Sequence, residues 1–139
     1  SLELGGNSLG TKGAADVAKA LGTLSQVTTL DLRLWNNDLG PEGASALAKA
    51  LQQLRQLTTL TLQLGNSGLR AEGAAALAKA LETLSQVTTL DLRLWNNDLG
   101  PEGALRLSHN DLGPEGASAL AKALRQLRQL TTLTLQLGN

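Results

Sequence analysis

Ser25-Gln-Val-Thr-Thr-Leu-Asp-Leu-Arg-Leu-Trp-Asn-Asn-Asp-Leu-Gly-Pro-Glu-Gly-Ala44 occurs twice in this chain, the second time from Ser85 to Ala104. A second phrase, Gln53-Leu-Arg-Gln-Leu-Thr-Thr-Leu-Thr-Leu-Gln-Leu-Gly-Asn66, returns at Gln126 to Asn139. Leu4, Leu34, Leu64 and Leu94 stand thirty residues apart, and Leu107 and Leu137 resume that spacing after one interruption. A fixed period of this length is the mark of stacked units that share one continuous core.

The stretch Val27 to Gln56 shows what one unit is built to do. Thr28, Leu30, Leu32 and Leu34 alternate with Thr29, Asp31, Arg33 and Trp35, the two-residue period of a half-buried strand. Gly40-Pro41-Glu42 then marks a turn into a helix, since Pro suits a first helical position and an acid suits the positive end of the helix dipole. Ala44, Leu47, Ala48 and Leu51, with Leu54 beyond, form an apolar stripe at helical spacing, and Lys49 falls off it toward water.

Strand, turn, helix and return make a right-handed crossover, so neighbouring strands are parallel. Helices about 10 Å wide behind strands about 4.8 Å apart bend the stack, with strands on the concave side and helices on the convex side. Small residues at Gly43, Ala44 and Ala48 let the helix sit close to the sheet and moderate that bend. The expected fold is therefore an α/β solenoid of about five repeats forming one array over residues 1–139. Strands are expected near 2–4, 28–34, 58–64, 88–94, 105–107 and 131–137, and helices near 12–22, 41–52, 71–82 and 114–125.

Composition narrows the function. About a quarter of the residues are Leu, with no Phe, Tyr, Met or Cys, and such a core needs many equivalent small slots. Twelve basic and twelve acidic residues cancel and are dispersed, so neither nucleic acid nor an anionic membrane is favoured as a partner. Without Cys there are no disulfides or thiolate metal sites, and no cofactor is expected. Neither end reads as a polar cap, so the chain is expected to be a piece of a longer array, with end-to-end self-association open to it.

Leu2-Glu-Leu-Gly-Gly-Asn7-Ser-Leu-Gly10 and Leu105-Arg-Leu-Ser-His-Asn110-Asp-Leu-Gly113 share the pattern Leu-x-Leu-x-x-Asn-x-Leu-Gly. With the Gly-x-x-Gly-Ala…Leu-Ala-x-Ala-Leu helix, the chain resembles the ribonuclease-inhibitor-like class of leucine-rich repeats. That class includes the repeat domains of NOD-like receptors and Ran GTPase-activating proteins. The resemblance implies a horseshoe that binds a protein partner through its concave strands. By analogy with the Ran regulators, a GTPase-activating role is an alternative to which no residue here can be assigned. Two departures stand out. The chain lacks the cysteines of ribonuclease inhibitor itself, and its middle repeats, at Leu32-Arg-Leu-Trp-Asn-Asn37, are expected to form a longer strand or a bulge. Asn66 also falls one step early in the third repeat.

Between Leu94 and Leu107 the spacing drops from thirty to thirteen, and the counterpart of Ser45 to Thr61 is missing. A parallel crossover needs about a dozen residues or more. A stretch lost at the 104/105 junction is therefore favoured over a repeat without a helix, with strand 105–107 expected beside strand 88–94.

No residues assemble into a catalytic or metal-binding set. His109 is the sole histidine and reads as a solvent-facing loop residue. Asn7, Asn37, Asn97 and Asn110 read as structural, their buried amides pairing with turn backbone because an unpaired buried amide costs about 1–3 kcal/mol. The candidate binding wall is the outward face of the strands: Asp31, Arg33, Thr61, Gln63, Asp91 and Arg93. Charged and neutral rows alternate there every sixty residues. Trp35 and Trp95 share this phase and are placed at the concave rim, where Trp beside Arg is the composition of interface hot spots. The reading is a non-enzymatic recognition scaffold. Its rival is a structural or self-stacking array, natural or synthetic, which near-identical copies favour.

Overall fold

The computed structural model describes residues 1–97 and 113–137. Five strands and four helices alternate through these residues: β1 (Leu2–Glu3), α1 (Gly10–Leu21), β2 (Thr29–Arg33), α2 (Gly40–Leu51), β3 (Thr59–Gln63), α3 (Arg70–Leu81), β4 (Thr89–Arg93), α4 (Gly113–Gln126) and β5 (Thr132–Gln136). All strands lie in one sheet in the order β1-β2-β3-β4-β5, and every neighbouring pair is parallel. The helices form a second layer in which α1, α2, α3 and α4 touch in sequence order. This is an α/β repeat solenoid.

The core is the seam between those layers. Leu30, Leu32, Leu60, Leu62, Leu90 and Leu92 point from the sheet toward Leu47, Leu51, Leu77 and Leu81 on the helices, and all are buried. Gly43 and Gly73 act between helices rather than against the sheet. A Cβ on Gly43 would stand 2.9 Å from the Cβ of Ala14, and one on Gly73 would stand 3.0 Å from that of Ala44. Close helix approach narrows the layer that would otherwise be much wider than the sheet.

The expected longer strand or bulge is absent from the middle repeats. Strands β2, β3 and β4 are each five residues long, with unbroken pairing from Thr29↔Thr59↔Thr89 to Arg33↔Gln63↔Arg93. The middle repeats hold no extra residues, since Leu32 to Asn37 spans the same five steps as Leu2 to Asn7, and the ladder runs on into the turn, where Leu34 N–H donates to Gln63 O at 2.8 Å and Asn36 N–H donates to Gly65 O at 2.8 Å. A bulge needs unequal residue counts on two neighbours, and these repeats have equal lengths.

The neighbour of β4 differs from the expectation. Strand β4 lies between β3 and β5, so a strand at 105–107 is not its neighbour. Leu30↔Leu60 and Leu60↔Leu90 pair thirty residues apart, whereas Leu90↔Leu133 pair forty-three apart. The step from β4 to β5 thus gains thirteen residues over the common period. A parallel crossover takes a dozen or more residues and is usually a helix, and α4 lies on the way into β5. Residues 105–107, the 104/105 junction, His109 and Asn110 lie outside the described residues.

Leu62 sits mid-sheet at zero exposure, so Leu62→Ala is expected to lower the unfolding free energy by about 2–5 kcal/mol. Urea titration followed by circular dichroism checks this, and a change below about 0.5 kcal/mol would contradict the core assignment.

Candidate functional site

The face of the sheet turned away from the helices is ordered by register. Asp31, Thr61, Asp91 and Thr134 form one row across the strands, and Arg33, Gln63, Arg93 and Gln136 form the next. The six candidate side chains on β2, β3 and β4 therefore share one surface, and all are partly exposed. Thr134 and Gln136 extend both rows. They are the counterparts of Thr61 and Gln63 in the copied stretch Gln126 to Asn139, and the candidate set did not extend to them.

Each charged strand neutralises itself. Arg33 Nε donates to Asp31 Oδ1 and Arg33 Nη2 to Asp31 Oδ2, both at 3.0 Å. Arg93 Nε donates to Asp91 Oδ1 at 3.0 Å, and Arg93 Nη2 to Asp91 Oδ2 at 2.9 Å. Residues two apart on a strand point the same way, which lets the planar guanidinium meet the carboxylate through two bonds. Arg33 also reaches Glu3 Oε2 at 3.2 Å on the adjacent strand. The Arg33 hydrogen bonds hold the Asp31 carboxyl below its usual range, against the opposing effect of burial. Both guanidinium groups are shifted upward by their aspartates.

The indoles occupy neither the leucine core nor open solvent. Trp35 and Trp95 are half-buried, each laid against a glycine one repeat earlier. A Cβ on Gly5 would overlap the Trp35 ring, with the indole nitrogen only 2.5 Å away. Gly65 has the same relation to Trp95. The alternation Gly5, Trp35, Gly65, Trp95 makes pairs of repeats the true unit. Its signal in the sequence was a glycine thirty residues before each tryptophan.

Beneath the indoles, the turn is held by amides. Asn37 is buried. Its Oδ1 accepts from the N–H groups of Asn7 and Leu9, and its Nδ2 donates to Leu4 O at 2.7 Å and Leu34 O at 3.0 Å. Asn97 repeats this pattern with Ser67, Leu69, Leu64 and Leu94. Asn7 donates to Leu4 O and Gly5 O but is exposed, contrary to the expected burial. In the third repeat this position belongs to Ser67, whose single hydroxyl hydrogen is shared between Leu34 O and Gly65 O, each 3.2 Å away. Asn66, one step early, serves a different row. Asn36, Asn66 and Asn96 all have positive φ, a conformation Asn tolerates. Their side chains pair along the surface, Asn66 Nδ2 to Asn36 Oδ1 at 2.6 Å and Asn96 Nδ2 to Asn66 Oδ1 at 2.9 Å.

A family model described as a leucine rich repeat matches residues 27–48 and 104–121. Both matches support a leucine-rich repeat protein. The first covers β2 and the start of α2 with the Asn37 turn between them, the part of the repeat in which the buried amide joins neighbouring units. No curated protein matches the chain. Among the described residues, no cluster of three or more His, Cys, Asp or Glu side chains could hold a metal ion, and no helix is long and apolar enough to cross a membrane.

Gly65→Ala is expected to displace the Trp95 indole, red-shifting its fluorescence and costing about 1–3 kcal/mol by overpacking. Trp95→Ala in the same chain should recover most of the Gly65→Ala cost, and additive losses would show that the two residues do not compete for space. The depressed Asp31 carboxyl gives a second expectation. Its contribution is complete above the unfolded value near 3.9 and is lost as pH falls through the lower folded value. The pair is partly exposed, so the contribution lies within about 0–1 kcal/mol. Comparing acid unfolding of the wild type with Asp31→Asn should show the difference closing toward low pH.

Proposed function

We propose that this protein is a non-enzymatic recognition scaffold that engages a protein partner through the concave, open face of its strands. The observation that carries this reading is the prearranged charge on that face. Arg33 is fixed by Asp31 and Glu3, and Arg93 by Asp91, so little side-chain freedom remains to be lost on binding. Trp35 and Trp95 flank those arginines as half-buried platforms, and Trp and Arg are the residues that dominate binding energy at interfaces. The binding set is Asp31, Arg33, Trp35, Thr61, Gln63, Asp91, Arg93 and Trp95.

We read the repeats as ribonuclease-inhibitor-like from the helical crossover and the Gly-x-x-Gly-Ala helix start. Balanced charge argues for a protein surface over nucleic acid or membrane. An arginine-finger role would need a guanidinium free to meet developing phosphate charge, and both concave arginines are engaged by carboxylates.

The test compares two variants on an immobilised chain. Arg33→Ala/Trp35→Ala alters the strand face, while Lys49→Ala/Lys79→Ala alters the helix side. A partner held by the wild type should bind the helix-side variant unchanged and lose about tenfold or more in affinity for the strand-face variant, as expected for hot-spot residues. The reverse ranking, with both variants folded by circular dichroism, would contradict the proposal.

A further inference from the structure

The two indoles lie flat, and they lie the same way. A Cβ placed on Gly5 or on Gly65 would have Cε2 of the tryptophan one repeat later as its nearest atom. Cε2 is a ring-fusion carbon bonded to three other ring atoms, so it can be nearest only from above the ring plane. Trp35 and Trp95 therefore rest face-down on glycine backbone, and the partial exposure each keeps belongs to the opposite face. The ladder fixes their separation. Trp35 O accepts from Gly6 N–H at 2.9 Å, Gly65 O from Asn36 N–H at 2.8 Å and Trp95 O from Asn66 N–H at 2.7 Å. The indoles thus stand two strand spacings apart, about 10 Å, as like platforms along one row.

Beside them is a set of donors with nothing to donate to. Among the described residues, neither indole N–H, nor Arg93 Nη1, nor the Gln63 side-chain amide has a hydrogen-bond acceptor. An indole N–H is a donor only, and a buried one ordinarily finds a partner. Charge is uneven as well. Among the described strand-face side chains, Glu3, Asp31 and Asp91 are acidic and only Arg33 and Arg93 are basic. The surplus acid, Glu3, is 55% exposed and lies two residues before the Gly5 seat of Trp35.

We propose that the indole row binds a proline-rich segment in the polyproline II conformation, with prolines three residues apart on Trp35 and Trp95 and a basic residue beside Glu3. This rests on the reading of the strand face as a recognition surface and gives that surface a partner class. The spacing selects the conformation. A polyproline II helix has three residues per turn and rises about 3.1 Å per residue, so every third side chain returns to one face about 9 Å on. An extended strand returns a side chain to the same face about every 6.6 Å, and residues three apart point to opposite sides. An α-helix matches the distance at seven residues, about 10.5 Å, but its carbonyls are engaged within the helix.

Only the polyproline form joins the right repeat to free carbonyls, since it has no internal hydrogen bonds. Those carbonyls are the acceptors that the indole N–H groups, Gln63 and Arg93 lack. Proline itself has no N–H, so the segment adds few donors to a face that already holds unmet ones. Its conformation is also formed in advance, which suits docking on a row of aromatic rings.

Trp35 and Trp95 are the only aromatic residues of the chain, so fluorescence reads the platforms directly. The probe is the synthetic peptide Arg-Ala-Pro-Ala-Ala-Pro-Ala-Ala-Pro-Ala, titrated into the wild-type chain. A saturable blue shift of the emission is expected as prolines cover the exposed ring faces. Arg-Pro-Ala-Ala-Ala-Pro-Ala-Ala-Ala-Pro, of the same composition with prolines four apart, should bind about tenfold or more weakly. Trp95→Ala should lose as much for the first peptide, as expected of a hot-spot residue. If that variant loses its circular dichroism signal, Trp35→Ala replaces it with the same expected loss. Glu3→Gln should weaken the arginine peptide and leave a version with alanine in place of arginine unchanged. An equal effect on both would overturn the placement of the basic residue. No saturable shift, or equal binding of the two proline spacings, would overturn the polyproline assignment. Preference for a helical peptide with leucines seven apart would overturn it too, while leaving the strand face a recognition surface. The recognition reading falls separately, on the strand-face and helix-side variants compared above.

Discussion

No single repeat of this chain can bury its own leucines. A strand and a helix form two sides of a wedge, and the remaining sides are closed by the units before and after. The same leucine phase is therefore fully buried in the middle of the array and exposed at its edges, as Leu54 and Leu24 show. The burial that stabilises the fold belongs to contacts between repeats, which is why the register between strands matters more than the content of any one unit.

That register is held by polar groups as well as by leucines. The Asn37 amide accepts two N–H groups from the first repeat and donates to a carbonyl of each of two repeats. A buried amide left unpaired would cost about 1–3 kcal/mol, so the turn tolerates little slippage. Ser67 fills the same position with a shorter side chain, and its own N–H and that of Leu69 donate to the Asn97 amide oxygen. The threonines add a further tie, since the hydroxyl groups of Thr58, Thr88 and Thr131 donate to the preceding strand.

The outward strand face stays partly exposed because the helices cover the core face. On it the chemistry alternates strand by strand: an Asp–Arg pair with an indole beyond it, then a neutral Thr–Gln strand ending in glycine. The glycine strand lets the next indole lie flat, so composition and sterics share one sixty-residue period. Any partner of this face meets paired charges about 10 Å apart, the width of two strand spacings.

The parallel sheet, the four helices, the leucine core and the outward rows of Asp31, Arg33, Thr61 and Gln63 were legible from the sequence by itself. They depend on local periodicity, which repeats thirty residues at a time and leaves each side chain one face to occupy. Contacts that cross between units were not legible in that way. The glycine seats of Trp35 and Trp95, the role of Ser67 in place of Asn66, the surface row of Asn36, Asn66 and Asn96, and the helix-to-helix role of Gly43 all join residues about thirty apart. Only the assembled register brings those residues within touching distance. The pairing of β4 with β5 was decided the same way. Leucine spacing pointed to a strand at 105–107, but a parallel neighbour is usually reached through a helix, and α4 leads the chain to 132–136.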